Sequence, residues 1–451
     1  MPRRHLLALV AIAITARSLV AAPPVMIDGR FGDWSGEPAA VDPAGDATGA
    51  FDVTQIQVAS RGTVLYFRFD TGTTLNLQSG DKREGTLIFR IGTPEGETLA
   101  VDVRQKTFTL LGGAQRVLRW ADFDYMAAPT WAANDFEAMI DLSSLGVRTG
   151  DRVSIDLAGS DTLDRPIVFR LTDGVADRTA PRSPARETGT DFRIVSMNTE
   201  RNGLVDRERQ AALGRLLRGP QPDIITIQEE YETSGADVKS ALDKLVPGQP
   251  GWNVHKTNDC VIASRKRLAP LRSYDGSYAA ALVQLDGDEA VLVLSIHPKC
   301  CGHTGSKEDR RRIEQTRAMI RTIDELRAAP ADGEFGPYRN APVVVIGDWN
   351  LVGSRIPLDL LTDPDEAGLT RRLLLTLEND RVVTWIDENS PFSPGQLDLV
   401  VFDAEKLEPK NGFVLDTRTL DDRELDALDV ESADSDATDH LLLVVDFALR
   451  R

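Results

Sequence analysis

Two hydrophobic patterns divide this chain. From about residue 24 to 172, apolar and polar residues alternate, as in Gln55-Ile56-Gln57-Val58 and Leu65-Tyr66-Phe67-Arg68-Phe69. Thr86 to Ile91, Leu99 to Val103 and Phe136 to Leu142 keep a similar rhythm. Alternation with period two, broken by Gly- and Asp-rich turns, predicts strands with one face on a core. The first part of the chain is therefore expected to be an all-β sandwich. From residue 191 onward the pattern changes to short, continuous apolar runs, which predict strands buried on both faces. Between them, two helices are predicted. One starts near Asp206 and aligns Ala212, Leu213, Leu216 and Leu217. The other opens at Ser306, with Asp309 three residues on as a variant capping box, and aligns Ile313, Thr316, Ile320 and Ile323. Residues 173–190, with Pro184 and Arg186 among small and polar residues, lack apolar periodicity and read as a linker.

The buried runs share a feature at their ends. Four of them stop on polar residues able to bind metal or phosphate: Ile194 to Asn198, Ile224 to Gln228-Glu229, Val291 to Ile296 followed by His297, and Val343 to Gly347-Asp348-Trp349-Asn350. Two more begin on such residues, Asp398 before Leu399 and Asp439-His440 before Leu441. If the first four strands leave the sheets at one edge and the last two return from it, these groups converge in one cleft. Carboxylates, amides and imidazoles in one cleft suit metal-assisted attack of water on a phosphate ester.

In this order the six stations resemble the endonuclease/exonuclease/phosphatase superfamily, which includes DNase I, abasic-site endonucleases and bacterial sphingomyelinases. The resemblance covers about 191–451. It implies an α/β four-layer sandwich, two packed mixed β-sheets flanked by helices, preceded here by the all-β sandwich. It also implies roles. Glu229, with Asn198 and Asp439, would hold Mg2+ or Mn2+, a hard cation that needs few protein carboxylates. Glu200 is a further candidate ligand, against its reading as an exposed turn residue. His440 would be the general base or proton partner, oriented by Asp398. Asp348 and Asn350 would position or activate water, and His297 would contact phosphate from the opposite wall. Thr438 stands where the family usually has Ser. His255 and His303 occupy no station.

The opening Ile27-Asp28-Gly29 with Asp33-Trp34, and the Asp-rich loop after it, resemble family nine carbohydrate-binding modules. Asp42, Asp46 and Asp52 are candidate ligands for a structural Ca2+; their alternative is turn formation on a solvated loop. Trp34, Trp120 and Trp131 either stack on a glycan or belong to the core.

Charge qualifies the substrate. The chain carries a formal net charge of −18. Residues 191–451 hold 32 basic and 46 acidic residues, a net of −14, whereas duplex binding normally needs a basic footprint. Basic groups do follow two stations, at Lys299, Lys307 and Arg310 to Arg312, and at Arg265 to Arg267. Three readings follow: a secreted nuclease-type phosphodiesterase acting on nucleic acid, a phosphoesterase for lipid head groups or small phosphates, and a non-enzymatic glycan-binding surface protein. Intact stations argue against the third.

Residues 1–22 read as a secretory signal, with Arg3, Arg4 and His5 before an apolar stretch, Leu6 to Thr15, too short to span a bilayer. The alternative is a retained anchor. Export predicts oxidised cysteines. Of Cys260, Cys300 and Cys301, a bridge from Cys260 to one of the other two is expected, because the family fold would place the Cys260 strand in the same sheet as the strand before His297. A monomer, secreted or periplasmic, without a transmembrane anchor is expected.

Overall fold

The computed structural model describes residues 25–49, 51–77, 85–112, 116–173, 182–379 and 381–451. The expected signal at 1–22 and most of the linker lie outside these residues. Among the described residues, no helix is long and apolar enough to cross a membrane.

The first part is an antiparallel sandwich of a five-stranded and a six-stranded sheet. Period two explains how the five-stranded sheet is used. In the strand Val64–Leu75, Leu65, Phe67 and Phe69 point into the sandwich core, where Phe89 packs on both phenylalanine rings at 4.8 Å. Tyr66, between them, points the other way. It joins Ala59, Met126, Met139, Trp34, Val25 and Ile27 in a second cluster that also contains Leu374, Val383 and Val414 from the later part of the chain. The outer face of this sheet is thus an interface, not a solvated surface. Burying a large apolar side chain is worth about 1.5–3 kcal/mol, so Trp34, Tyr66, Met126 and Met139 together weld the sandwich to its neighbour. The polar composition of residues 173–190 gives no sign of this apolar contact.

The later part holds two six-stranded mixed sheets. In the first sheet, Phe192–Asn198 runs parallel to Ile224–Gln228 and antiparallel to Leu442–Leu449. In the second, Ala290–Ile296 runs parallel to Val343–Asp348, which runs antiparallel to Asp398–Phe402. The sheets stack through Ile194, Ile224, Val293, Val344, Ile346, Val400 and Leu443. Helices Gln210–Arg218 and Gly235–Leu245 cover the outer face of the first. Helices Lys307–Arg327 and Ile356–Thr362 cover the second. This is the expected four-layer α/β/β/α arrangement. Ser306 caps its helix, accepting from Asp309 N at 3.2 Å, but the expected box does not close: Asp309 Oδ2 accepts instead from Gly305 N at 2.9 Å. Helix Gly235–Leu245 was missed, although Ser234 and Asp237 form its capping box.

The strand Cys260–Ser264 lies in the first sheet, beside Ile224–Gln228, and not in the sheet that leads to His297. The expected disulfide is therefore not formed. The buried Cys260 thiol donates to Ser277 O at 3.6 Å, and all three cysteines are free. Trp34, Trp120 and Trp131 are buried, so none of them presents a free face to a sugar. The acidic run from Asp421 to Asp439 is largely structured: it forms the helix Asp422–Leu428, and Asp434 is held by Arg215, with Nη2 to Oδ1 at 2.5 Å.

Candidate active site

All six polar stations meet at one edge of the stacked sheets, because the parallel pairs exit there and the antiparallel strands return there. Register fixes the neighbours. Asn198 pairs with Gln228 in one sheet, and Asp348 pairs with Asp398 in the other. Close stacking of the sheets at this edge needs Gly347. A Cβ there would lie 2.9 Å from Gln228 Nε2 of the other sheet and 2.4 Å from Ile296 O of the neighbouring strand, and its φ of +142° lies outside the range of ordinary side chains.

Asp348 is the hub. Its Oδ1 accepts from Asn350 N at 2.9 Å, and its Oδ2 accepts from Asn350 Nδ2 at 2.9 Å and Asn198 Nδ2 at 3.2 Å. The same oxygen lies 3.4 Å from His297 Nε2 and 3.8 Å from His440 Nε2. Burial pushes the Asp348 carboxyl up to about 6, against the pull of the two imidazoles. His440 is buried, with Nδ1 2.8 Å from Asp398 Oδ2. Asp398 N in turn donates to Thr384 Oγ1 at 2.8 Å. Burial works against the His440 cation, but Asp398 and Asp348 outweigh it and push the group up to about 10.

His297 faces this pair from the other side. Its Nδ1 lies 2.5 Å from Asp259 Oδ2 and its Nε2 3.7 Å from Glu229 Oε1. Burial lowers it, yet Asp259, Asp348 and Glu229 together raise it to about 9. Glu229 Oε1 accepts from Asn198 Nδ2 at 3.1 Å, and Oε2 accepts from Arg201 N at 3.1 Å. Burial first, then the charges of Asp439 and of Glu229, raise the Glu200 carboxyl against the pull of Arg209. A cluster of carboxylates that repel one another in this way is chemically suited to a hard cation, whose charge would offset the repulsion. Separately, Asp348, Asp398 and His440 bring one ligand atom each within 4.8 Å of one another. There the Asp398–His440 hydrogen bond already occupies one imidazole nitrogen.

The backbone is unusual where these groups sit. Among the described residues, eleven non-glycine residues have positive φ; of these Glu229, Cys301 and Asn350 line the cleft, and Glu200, Arg201 and Asn202 lie in the turn bonded to Glu229. Such strain is held where the surroundings over-determine it. The cleft has a volume of about 400 Å³, and Tyr231, Trp385, Phe392 and Thr130 share its wall with the polar groups. Trp385 Nε1 donates to Asp439 Oδ2 at 2.9 Å. Thr438 does its part through its hydroxyl, donating to Asn198 O at 2.9 Å.

Every residue selected from the sequence lies at this edge: Asn198, Glu200, Glu229, His297, Asp348, Asn350, Asp398, Asp439 and His440. Segment 195–440, more than half of the chain, matches the Endonuclease/Exonuclease/phosphatase family. The chain belongs to that family. Members of this family are hydrolases of phosphoester bonds, and the acidic and imidazole groups above match that chemistry. No curated protein matches the chain. Among solved structures, it is similar to a 3′ phosphatase from Neisseria bound to a product DNA hairpin, with 17% identity, 57% of this chain and 99% of that one covered, and a TM-score of 0.41. It is also similar to an AP endonuclease from Archaeoglobus fulgidus, at 14%, 57%, 99% and 0.39. A mannosyl-6-phosphatase from Bacteroides thetaiotaomicron gives 15%, 57%, 99% and 0.38.

Two residues were missed from the sequence. Asp259 supports His297 from 38 residues away in the chain. A signal existed, since a cleft imidazole calls for an orienting carboxylate and Asn258-Asp259 forms the tight turn before the Cys260 strand. Thr384 holds Asp398 from an irregular segment with no periodic pattern to read.

Proposed function

We propose that this family member is an exported, divalent-metal-dependent phosphodiesterase of the nuclease type. The observation that carries the reading is the Asp398–His440–Asp348 line facing His297 and Glu229 across one cleft. Glu229, with Asn198, Glu200 and Asp439 around it, would hold Mg2+ or Mn2+. Bound there, the cation would neutralise phosphate charge and stabilise the leaving oxygen. The chain's own residues supply the rest. His440 and His297, both raised by their carboxylates, are cationic at neutral pH and contact phosphoryl oxygens from two walls. Asp398 fixes the His440 ring. Asp348, raised towards neutrality and bonded to Asn350, orients the attacking water and takes its proton. Export rests on the sequence of residues 1–22.

A second reading is favoured by the wall. A cleft of about 400 Å³ bordered by Thr130, Trp385 and Phe392, on a net-acidic region, suits a small phosphoester or a head group better than a duplex. The experiment measures release of acid-soluble nucleotides from DNA and of phosphate from small phosphomonoesters and phosphocholine esters, each with magnesium. Nucleotide release supports the first reading. Turnover of the small esters alone selects the second.

We also propose a structural Ca2+ site in the sandwich. Asp42, Asp46 and Asp161 bring carboxylate oxygens within 4.8 Å of one another. Asp42 Oδ2 and Asp52 Oδ1 are buried without a partner. Unpaired buried carboxylate oxygens are costly unless a cation meets them.

A further inference from the structure

The three carbonyls that follow Asn350 are held by the β-sandwich, while Ser354 after them donates to Asp309 Oδ1 through its N at 2.8 Å and its Oγ at 3.1 Å. Leu351 O accepts from Thr130 Oγ1 at 2.9 Å. Val352 O accepts from Asn76 Nδ2 at 3.0 Å. Gly353 O accepts from Asn76 Nδ2 at 3.1 Å and from Ala132 N at 2.8 Å. Three successive carbonyls beside the cleft thus find their donors in another part of the molecule.

Asn76 does more than close this segment. Its Oδ1 accepts from both Thr304 N and Thr304 Oγ1 at 3.0 Å. Thr304 ends the loop that leaves His297 and carries Cys300 and Cys301 along the cleft wall. On the far side, that loop is held by Arg312, whose Nη1 donates to Lys299 O and Cys301 O at 2.7 Å. A primary amide offers two donor hydrogens and two acceptor lone pairs. Here the two donors go to the loop after Asn350, and the acceptor goes to the loop after His297. Asn76 is 1% exposed, so water has little room to replace a lost bond. Its own carbonyl accepts from Arg104 Nη1 at 2.8 Å, which anchors it to the neighbouring sheet. The sandwich holds a third cleft segment as well: Trp120 Nε1 donates to Ser390 O at 3.0 Å, and Lys106 Nζ lies 4.4 Å from the centre of the Phe392 ring.

We propose that the β-sandwich is a fixed wall of the catalytic cleft, and that Asn76 is a positioning residue which sets the Asn350 loop and the His297 loop against each other. Its kinetic consequence rests on the phosphoesterase reading; its structural consequence rests on the hydrogen bonds alone. Asn350 sits in the left-handed region at a φ of +49°, where its N and Nδ2 both donate to Asp348 at 2.9 Å. Freeing the loop behind it lets the amide leave Asp348 and shifts one wall of the cleft relative to the other.

The test uses the full chain and two variants. Asn76→Asp keeps the shape but removes both donors and faces a carboxylate with two carbonyl oxygens. Thr304→Val removes one bond from the other side. Phe89→Leu, in the sandwich core away from the cleft, is the control for general destabilisation. With a small soluble phosphodiester and saturating magnesium, Asn76→Asp is expected to lower kcat by about tenfold or more with KM within about twofold, since displacements near 1 Å cost rates of this order. Thr304→Val gives the same pattern with a smaller loss. Phe89→Leu, compared below its own melting transition, keeps the wild-type kcat. Hydrogen exchange read by mass spectrometry accelerates at 299–304 and 350–354 in Asn76→Asp, while the strands of the two catalytic sheets stay protected. A kcat in Asn76→Asp equal to that of Phe89→Leu overturns the proposal. So does unchanged exchange in the two loops. If the wild-type chain hydrolyses no phosphoester but the loops still loosen, the phosphoesterase reading fails and the brace stands.

Discussion

His440 and Asp398 share a buried hydrogen bond of 2.8 Å although their strands belong to different sheets. The pair links the two sheets at the edge where the cleft opens. It fixes the imidazole so that Nε2 faces Asp348. Asp398→Asn keeps the shape but removes the carboxylate charge that holds His440 as a cation, so turnover is expected to fall by at least about a hundredfold. The double variant with His440→Ala is expected to be little slower than His440→Ala alone, because groups acting as one unit are non-additive. Steady-state kinetics of the three variants check this; losses that simply multiply would separate the two residues.

Asp259 gives a pH prediction. With His297 raised to about 9, its cation is present below that pH and lost as pH rises through it. Activity that depends on this cation therefore declines on the alkaline side. Asp259→Asn removes the principal support, so the alkaline limb of the kcat/KM profile moves to lower pH. A limb that stays in place would show that His297 does not set it.

The acidic cluster of the sandwich makes a stability prediction. Burial and the charges of Asp161, Asp46, Asp164 and Asp52 push Asp42 up to about 6. A carboxyl raised above its unfolded value of 3.8 makes the folded state bind the extra proton, so this group's contribution to stability falls as pH rises from about 4 to about 6 and is flat above. Calcium is expected to raise Tm at pH 7 more than at pH 5, and Asp42→Asn is expected to lose most of that gain. Calorimetry in chelator and in calcium reads both. A Tm indifferent to calcium would remove the site.

The sandwich interface gives a prediction opposite to the one that the linker composition suggests. A chain beginning near Thr188 exposes the partners of Trp34, Tyr66, Met126 and Met139, and frees the carbonyls of residues 351–353. It is expected to be less soluble than the full chain and to turn over even small soluble phosphodiesters poorly. Equal kcat on such substrates would show that the sandwich does not shape the cleft.

The stations were legible because a strand buried on both faces leaves its polar residues at its ends, and parallel pairing then gathers those ends. Asn198, Glu229, His297, Asp348 and His440 needed only that rule. The docking of the sandwich was not legible. Alternation predicts only that one face meets a core; the other face mixes Gln57 and Arg68 with Ala59, Tyr66 and Met139, which are buried in the interface. Asp259 was hidden for a related reason. Its pairing with His297 depends on which sheet holds the Cys260 strand, and strand order is a long-range property that local pattern does not encode. The same misplacement produced the expected disulfide.

In the proposed function, Glu229 and its neighbours hold a divalent cation for phosphodiester hydrolysis. The most direct measurement is the rate of hydrolysis of a small phosphodiester by the full chain and by Glu229→Ala, in excess chelator and after addition of magnesium. The wild-type chain is expected to be inactive in chelator and restored by magnesium. The variant is expected to remain slower by about two to three orders of magnitude at the same magnesium concentration, the scale of losing one charge-stabilising group. Full wild-type activity in chelator, or an unimpaired Glu229→Ala chain, would contradict the account.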